Sequence, residues 1–209
     1  MTNDTRGGSI TPAEPEEREA IIQAAGRRAM EFKERGFHCS ESVFLAINET
    51  LKITDPCMVK IVTGFHGGGG THRLEQGMDL TAFLADVAAG RIVAEPEDLP
   101  MDQVGHLCGA LASGIVCIGL LHGRCSPDDD LTCVDELCYE LHRRFQEELE
   151  SKECRALREI WVPRSTDQTC GHVYRTGAQI AVELVLTAHE LVPECPPMHL
   201  QGEESPAGI

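Results

Sequence analysis

The sequence is short of positive charge, has no long apolar run and contains none of the compact cysteine motifs. Eighteen Lys and Arg stand against 34 Asp and Glu in 209 residues, a formal net charge of −16, with a pI near 4.9. Such a surface repels phosphate backbones. No Lys/Arg cluster with interleaved aromatics offsets it, so nucleic-acid binding is not expected. The longest uncharged apolar stretch, residues 107–121, falls short of the roughly 20 residues a membrane span needs. No apolar leader core precedes the acidic residues 14–19, so the chain is read as cytoplasmic and its cysteines as kept in a reducing compartment. No Cys-x-x-Cys occurs anywhere, which excludes a thioredoxin-type motif, a zinc-ribbon knuckle and a Cys-x-x-Cys-His haem site. The glycine run at 67–70 lacks the Lys-Ser/Thr of a phosphate loop and a strand before it, so nucleotide binding is not expected either. A nucleophile elbow, paired catalytic carboxylates and a His-Glu-x-x-His are absent as well, so no substrate is named and enzyme status stays open.

What the chain does have is helical periodicity and ten cysteines. A length of 209 residues with 42% hydrophobic content can bury a core without disulfide staples. Residues 1–15 and 193–209 are rich in Pro, Gly, Ser and Glu and are read as loose tails around a helical domain over 16–192. Cys195, among prolines, is expected to be peripheral. Ile21, Ile22, Ala25, Ala29 and Phe32 form one helical stripe that Gly36 ends, and Val43, Phe44, Ile47 and Leu51 form the next. Asp55-Pro56 signals a third helix start, and a weaker helix is read around 79–89. Residues 102–122 are apolar nearly all round and are read as a central helix surrounded by the others. Ser126-Pro127-Asp128 is read as the start of an amphipathic helix to about Glu150, lined by Leu137, Leu141, Phe145 and Leu149. The last helix carries Val173, Gly177, Ile180, Ala181, Leu184, Ala188 and Leu191 without a break. No alternating run of strand length survives, and the fold class is all-α, a single-domain helical bundle.

Four cysteines stand out by position. Ser151 and Asp167 are N-cap candidates with Cys154 and Cys170 three residues on, and Cys39 directly precedes the Ser40-Glu41-Ser42 helix start. Free N–H groups and positive partial charge at a helix N-terminus lower a thiol pKa and favour thiolate or an anionic cluster. Cys108 is placed inside the central helix, where Gly109, Ala110, Ala112, Ser113 and Gly114 leave room for another backbone or a bulky inorganic group. Spacings of 69, 46 and 16 residues mean that any shared site must be assembled tertiarily. Cys117, Cys125, Cys133 and Cys138 form a second group whose bland reading, packing, is preferred to a second metal site or disulfides. His66, His72, His106 and His172 flank the glycine loop and two of the key cysteines, and could replace a thiolate or tune a cluster by hydrogen bonding. The glycine loop itself suits close backbone approach to the cysteine site.

These residues resemble the C_GCAxxG_C_C family of redox-active proteins. The likeness is carried by Gly36-Phe37-His38-Cys39-Ser40-Glu41-Ser42-Val43, by Gly64-Phe65-His66-Gly67-Gly68-Gly69-Gly70, and by Cys108-Gly109-Ala110 with Gly114, continuing to Gly119-Leu120-Leu121-His122-Gly123. Cys154 and Cys170, the latter followed by the long final helix, complete it over roughly residues 27–192. The resemblance implies a small helical domain with four characteristic cysteines and an electron-transfer role, and a similar domain in split-Soret cytochromes carries an iron–sulfur cluster. Carried over position by position, the ligands would be Cys39, Cys108, Cys154 and Cys170. Residues 74–104 read as an insertion relative to that pattern, and six further cysteines depart from it.

Three readings follow. The first is an electron-transfer protein whose four thiolates hold a 2Fe–2S or 4Fe–4S iron–sulfur cluster. The second uses the same cysteines for thiol–disulfide or peroxide-responsive chemistry without metal, and the third is a zinc-stabilised interaction module. The acidity suits a basic redox partner protein and simple solubility equally well, and the small-residue central helix allows a homodimer.

Overall fold

The computed structural model describes residues 15–73, 85–86, 88–91, 101–103 and 105–196. The all-α expectation holds. Helix α1, Pro15–Glu34, opens on a proline followed by Glu16 and Glu17 and buries Ile22, Ala25, Ala29 and Phe32, as acidic first turns and a 3.6-residue apolar period require. Gly36, at φ +94°, reverses the chain after it. Helix α2, Cys39–Leu51, is started by the Glu41 carboxylate, which accepts the His38 backbone N–H at 3.0 Å. It ends where Lys52 turns left-handed and donates to the Asn48 carbonyl. Asp55 caps a short 3-10 turn, Pro56–Val59, that leads into α3, Lys60–Thr63.

The chain then forms a small antiparallel ribbon in which β1, Thr71–Arg73, pairs with β2, Met101–Gln103. Three-residue strands carry too little alternation to be read from sequence. The region between them, where the insertion and the helix near 79–89 were expected, lies largely outside the described residues. Helix α4, Gly109–His122, is shorter than the 102–122 expected, because residues 101–103 belong to β2 and Leu107 bridges to Glu153. Nor is it enclosed throughout: Leu120 is 43% exposed.

Helix α5, Thr132–Leu149, buries the predicted line Leu137, Leu141, Phe145 and Leu149. It begins later than Ser126-Pro127-Asp128 suggested, because the Asp129 carboxylate takes the N–H groups of Cys125 and Ser126 and holds them in a turn. Helix α6 is Cys154–Trp161 and α7 is Gly171–Leu186. A break at Thr187, whose hydroxyl donates to the Glu183 carbonyl, separates α7 from α8, Ala188–Leu191. The final helix is therefore interrupted, and Leu191 is 44% exposed.

Helix α7 is the hub, packing against α1, α2, α4 and α5. Its Gly177 lets α4 come close: a Cβ there would lie 3.2 Å from both the Ala110 Cβ and the Phe145 ring. Contrary to expectation, Cys195 is 1% exposed and disulfide-bonded to Cys133. Cys195 thus ties the chain after α8 to the start of α5, while residues 193, 194 and 196 beside it are exposed. Among the described residues no helix is long and apolar enough to cross a membrane.

Candidate redox centre

The four singled-out cysteines line one cavity of about 300 Å³. Each sits at the N-terminal end of a different helix: Cys39 and Cys154 are the first residues of α2 and α6, and Cys108 and Cys170 are the N-caps of α4 and α7. Cys108 therefore does not lie inside the central helix, and Cys154 and Cys170 stand nearer their helix ends than a third-position reading gave. The reason is local. The Ser151 hydroxyl accepts the Glu153 N–H and forms a turn ahead of α6, while Asp167 accepts Lys33, Ser165 and Thr169 and leaves the cap to Cys170.

Backbone pairing holds the four starts together. Residues 105–108 run between the glycine loop and the start of α6. On one side Gly105 and His106 donate to the carbonyls of Gly67 and Gly68 at 2.9 and 3.1 Å. On the other, Cys154 and Arg155 donate to His106 and Gly105 at 2.6 and 3.1 Å, and Cys108 donates to Lys152 at 2.9 Å. The buried Ser113 hydroxyl on α4 donates to the Ser40 carbonyl on α2 at 2.6 Å, locking a third pair of segments. The glycines make this approach possible. A Cβ on Gly68, at φ +78°, would lie 2.8 Å from the Cys154 Cβ, and one on Gly109 would lie 2.6 Å from the Cys39 Sγ. The predicted close approach of the glycine loop to the cysteines is thus present.

The electrostatics of the thiols reverse the sequence expectation. Burial pushes Cys39 up to about 11, against opposing donation from Gly67 N–H, with Cys154 adding to the rise. Burial likewise raises Cys170 to about 11, with Cys154 contributing. Cys108 and Cys154 are also raised, chiefly by burial; Leu111 and Ala110 N–H groups oppose the rise at Cys108, and Arg158 opposes it at Cys154. Helix ends favour thiolate, but desolvation of four neighbouring sulfurs outweighs them.

The cavity is also lined by His38, His66, Arg158 and Tyr174. His38 and His66 stack at 4.8 Å between ring centroids. Of the histidines singled out from sequence, only His66 lines this cavity; His172 stacks on Trp161 at 4.2 Å, His106 contributes its backbone, and the His72 side chain lies outside the described residues. His38, Arg158 and Tyr174 were missed, although each had a signal: His38 precedes Cys39, and Arg158 and Tyr174 follow Cys154 and Cys170 by one helical turn. Of the second cysteine group, Cys117 is fully buried packing, Cys125 is exposed, Cys138 is half-buried and Cys133 is disulfide-bonded.

Among the described residues no group of three or more His, Cys, Asp or Glu forms a ready-made metal site. The donor set nevertheless fits an iron–sulfur group chemically. Four soft sulfurs share the cavity with no carboxylate among its lining residues, a combination that selects against hard cations. Ser40, next to Cys39, keeps a fully buried hydroxyl oxygen without a partner.

Fold and site together define an all-helical protein with four thiols gathered at four helix N-termini. Residues 92–184 match the family model described as "Putative redox-active protein (C_GCAxxG_C_C)". The matched segment holds Cys108, Cys154 and Cys170 with α4, α5, α6 and most of α7, while Cys39 and the glycine loop lie ahead of it. No curated protein and no solved structure matches the chain.

Proposed function

We propose that the protein transfers electrons through an iron–sulfur cluster held by Cys39, Cys108, Cys154 and Cys170. The observation that carries this reading is the convergence of four thiols, from four helix N-termini, on one carboxylate-free cavity. When bound, a cluster supplies one-electron chemistry. The chain's own contribution is to hold four thiolates in a largely buried site, with Cys108 and Cys154 buried and Cys39 and Cys170 partly so. N–H groups of Gly67 and Ser40 favour the thiolate of Cys39, and those of Leu111 and Ala110 that of Cys108. The Arg158 guanidinium does the same for Cys154 and Cys170. In the metal-free chain burial outweighs these groups, and cationic iron, when bound, would favour the ionised sulfurs. The same raised thiols speak against the metal-free thiol–disulfide reading, which needs a low-pKa nucleophile. A basic donor or acceptor protein is the partner class that a charge of −16 suits.

The test is a visible spectrum with iron, sulfide and zinc analysis on protein purified without oxygen, beside a Cys108→Ser variant. Broad absorbance near roughly 400 nm, as iron–sulfur proteins show, and its loss in the variant, are expected. An iron-free, colourless wild type overturns the reading, and stoichiometric zinc in its place would make the site structural.

A further inference from the structure

Helix α7 brings a second polar group to the cavity beside its cysteine. Tyr174 stands one turn after Cys170, its backbone N–H donating to the Cys170 carbonyl at 3.2 Å. Its side chain lines the same cavity as all four cysteines. The chain has two tyrosines, and the other, Tyr139, is 68% exposed on α5. Tyr174 is half-buried, and no hydrogen bond ties its hydroxyl to another described residue. A phenol that lines the cavity of four cysteines and makes no hydrogen bond to another described residue has its O–H free to donate to a group held there. Thiolate sulfur is the acceptor this cavity provides.

We propose that Tyr174 is a positioning residue whose O–H donates to a cysteine sulfur of the loaded site and so sets its reduction potential. The inference rests on the four-cysteine cluster reading. A donor to sulfur withdraws electron density and favours the more negatively charged, reduced state, raising the potential. Removing that donor lowers it.

The experiment is a redox titration, followed by visible absorbance, of the full chain and its Tyr174→Phe variant, with Tyr139→Phe as control. The expected result is unchanged iron and sulfide content, a more negative midpoint for Tyr174→Phe, and an unmoved midpoint for Tyr139→Phe. Because Tyr174→Phe could load poorly, 3-fluorotyrosine placed at position 174 supplies a second probe of nearly the same shape and a stronger donor, for which the midpoint moves upward. A loaded wild type whose midpoint is indifferent to both changes overturns the role of Tyr174 while leaving the cluster reading intact. An iron-free wild type overturns both.

Discussion

At the residue scale the site depends on what is missing from Gly109. A methyl group there would sit 2.6 Å from Cys39 Sγ, 3.0 Å from the Phe65 carbonyl oxygen and 3.1 Å from the Ser40 Cβ. Two of those atoms are backbone or Cβ, so relief requires the start of α2 to move away from α4. Gly109→Ala should therefore cost about 1–3 kcal/mol, as overpacking does, and should lower the iron bound per chain. Gly119 on the same helix has nothing within 4 Å of its ideal Cβ, so Gly119→Ala should instead raise stability by about 0.4–1 kcal/mol. Thermal melts of both variants, with an iron assay, check the pair; two indistinguishable variants would show that the Gly109 contact is not a real constraint. Three of the four cysteines could be singled out because capping signals lie close to their helix starts, although the caps themselves fall elsewhere, and Cys108, read inside its helix, is in fact its N-cap. Tyr174 and Arg158 needed only one more step, the turn of helix beyond each cysteine. The thiol pKa direction was not legible, since it depends on how deeply four segments distant in sequence bury one another.

At the scale of elements, the apolar stripes of α1, α2, α5 and α7 could be read directly, because their period is a property of the local sequence. The starts of α4 and α5 could not: the first was displaced by the bridge from Leu107 to Glu153, the second by the turn at Asp129. The same limit hid the Cys133–Cys195 disulfide, which joins α5 to the chain after α8 across 62 residues. Prolines around Cys195 read as a tail, yet Cys195 is 1% exposed. Closing a loop of that length stabilises a chain by about 4 kcal/mol in the chain-entropy account. Thiol titration of the protein unfolded without reductant should find eight thiols, against ten after reduction. Cys133→Ser should lower the melting temperature by about 10 °C for a chain of this size. Ten thiols in the unreduced protein would show that α5 and the segment after α8 are joined by packing alone.

At the scale of the whole molecule, the raised thiols link folding to pH. An unperturbed thiol ionises at 9.0, whereas in the folded, metal-free chain Cys39 and Cys170 are pushed up to about 11. Below pH 9 folded and unfolded chains both hold these protons, and the thiols add no pH dependence. Between 9 and 11 the unfolded chain has released protons that the folded chain still keeps, so stability falls as pH rises through that window. Cys108 and Cys154 are shifted in the same direction. With the proposed cluster bound, the sulfurs would already be thiolates and rising pH would no longer favour the unfolded chain through them; acid would, by competing with the metal for sulfur. Denaturant melts from pH 8 to 10.5 should therefore show a steeper alkaline loss for metal-free than for loaded protein. A Cys39→Ala, Cys170→Ala double variant of the metal-free chain should flatten that loss. Equal slopes in all three proteins would mean that the cavity does not hold its thiols neutral, and would remove the physical reason for a cationic group there.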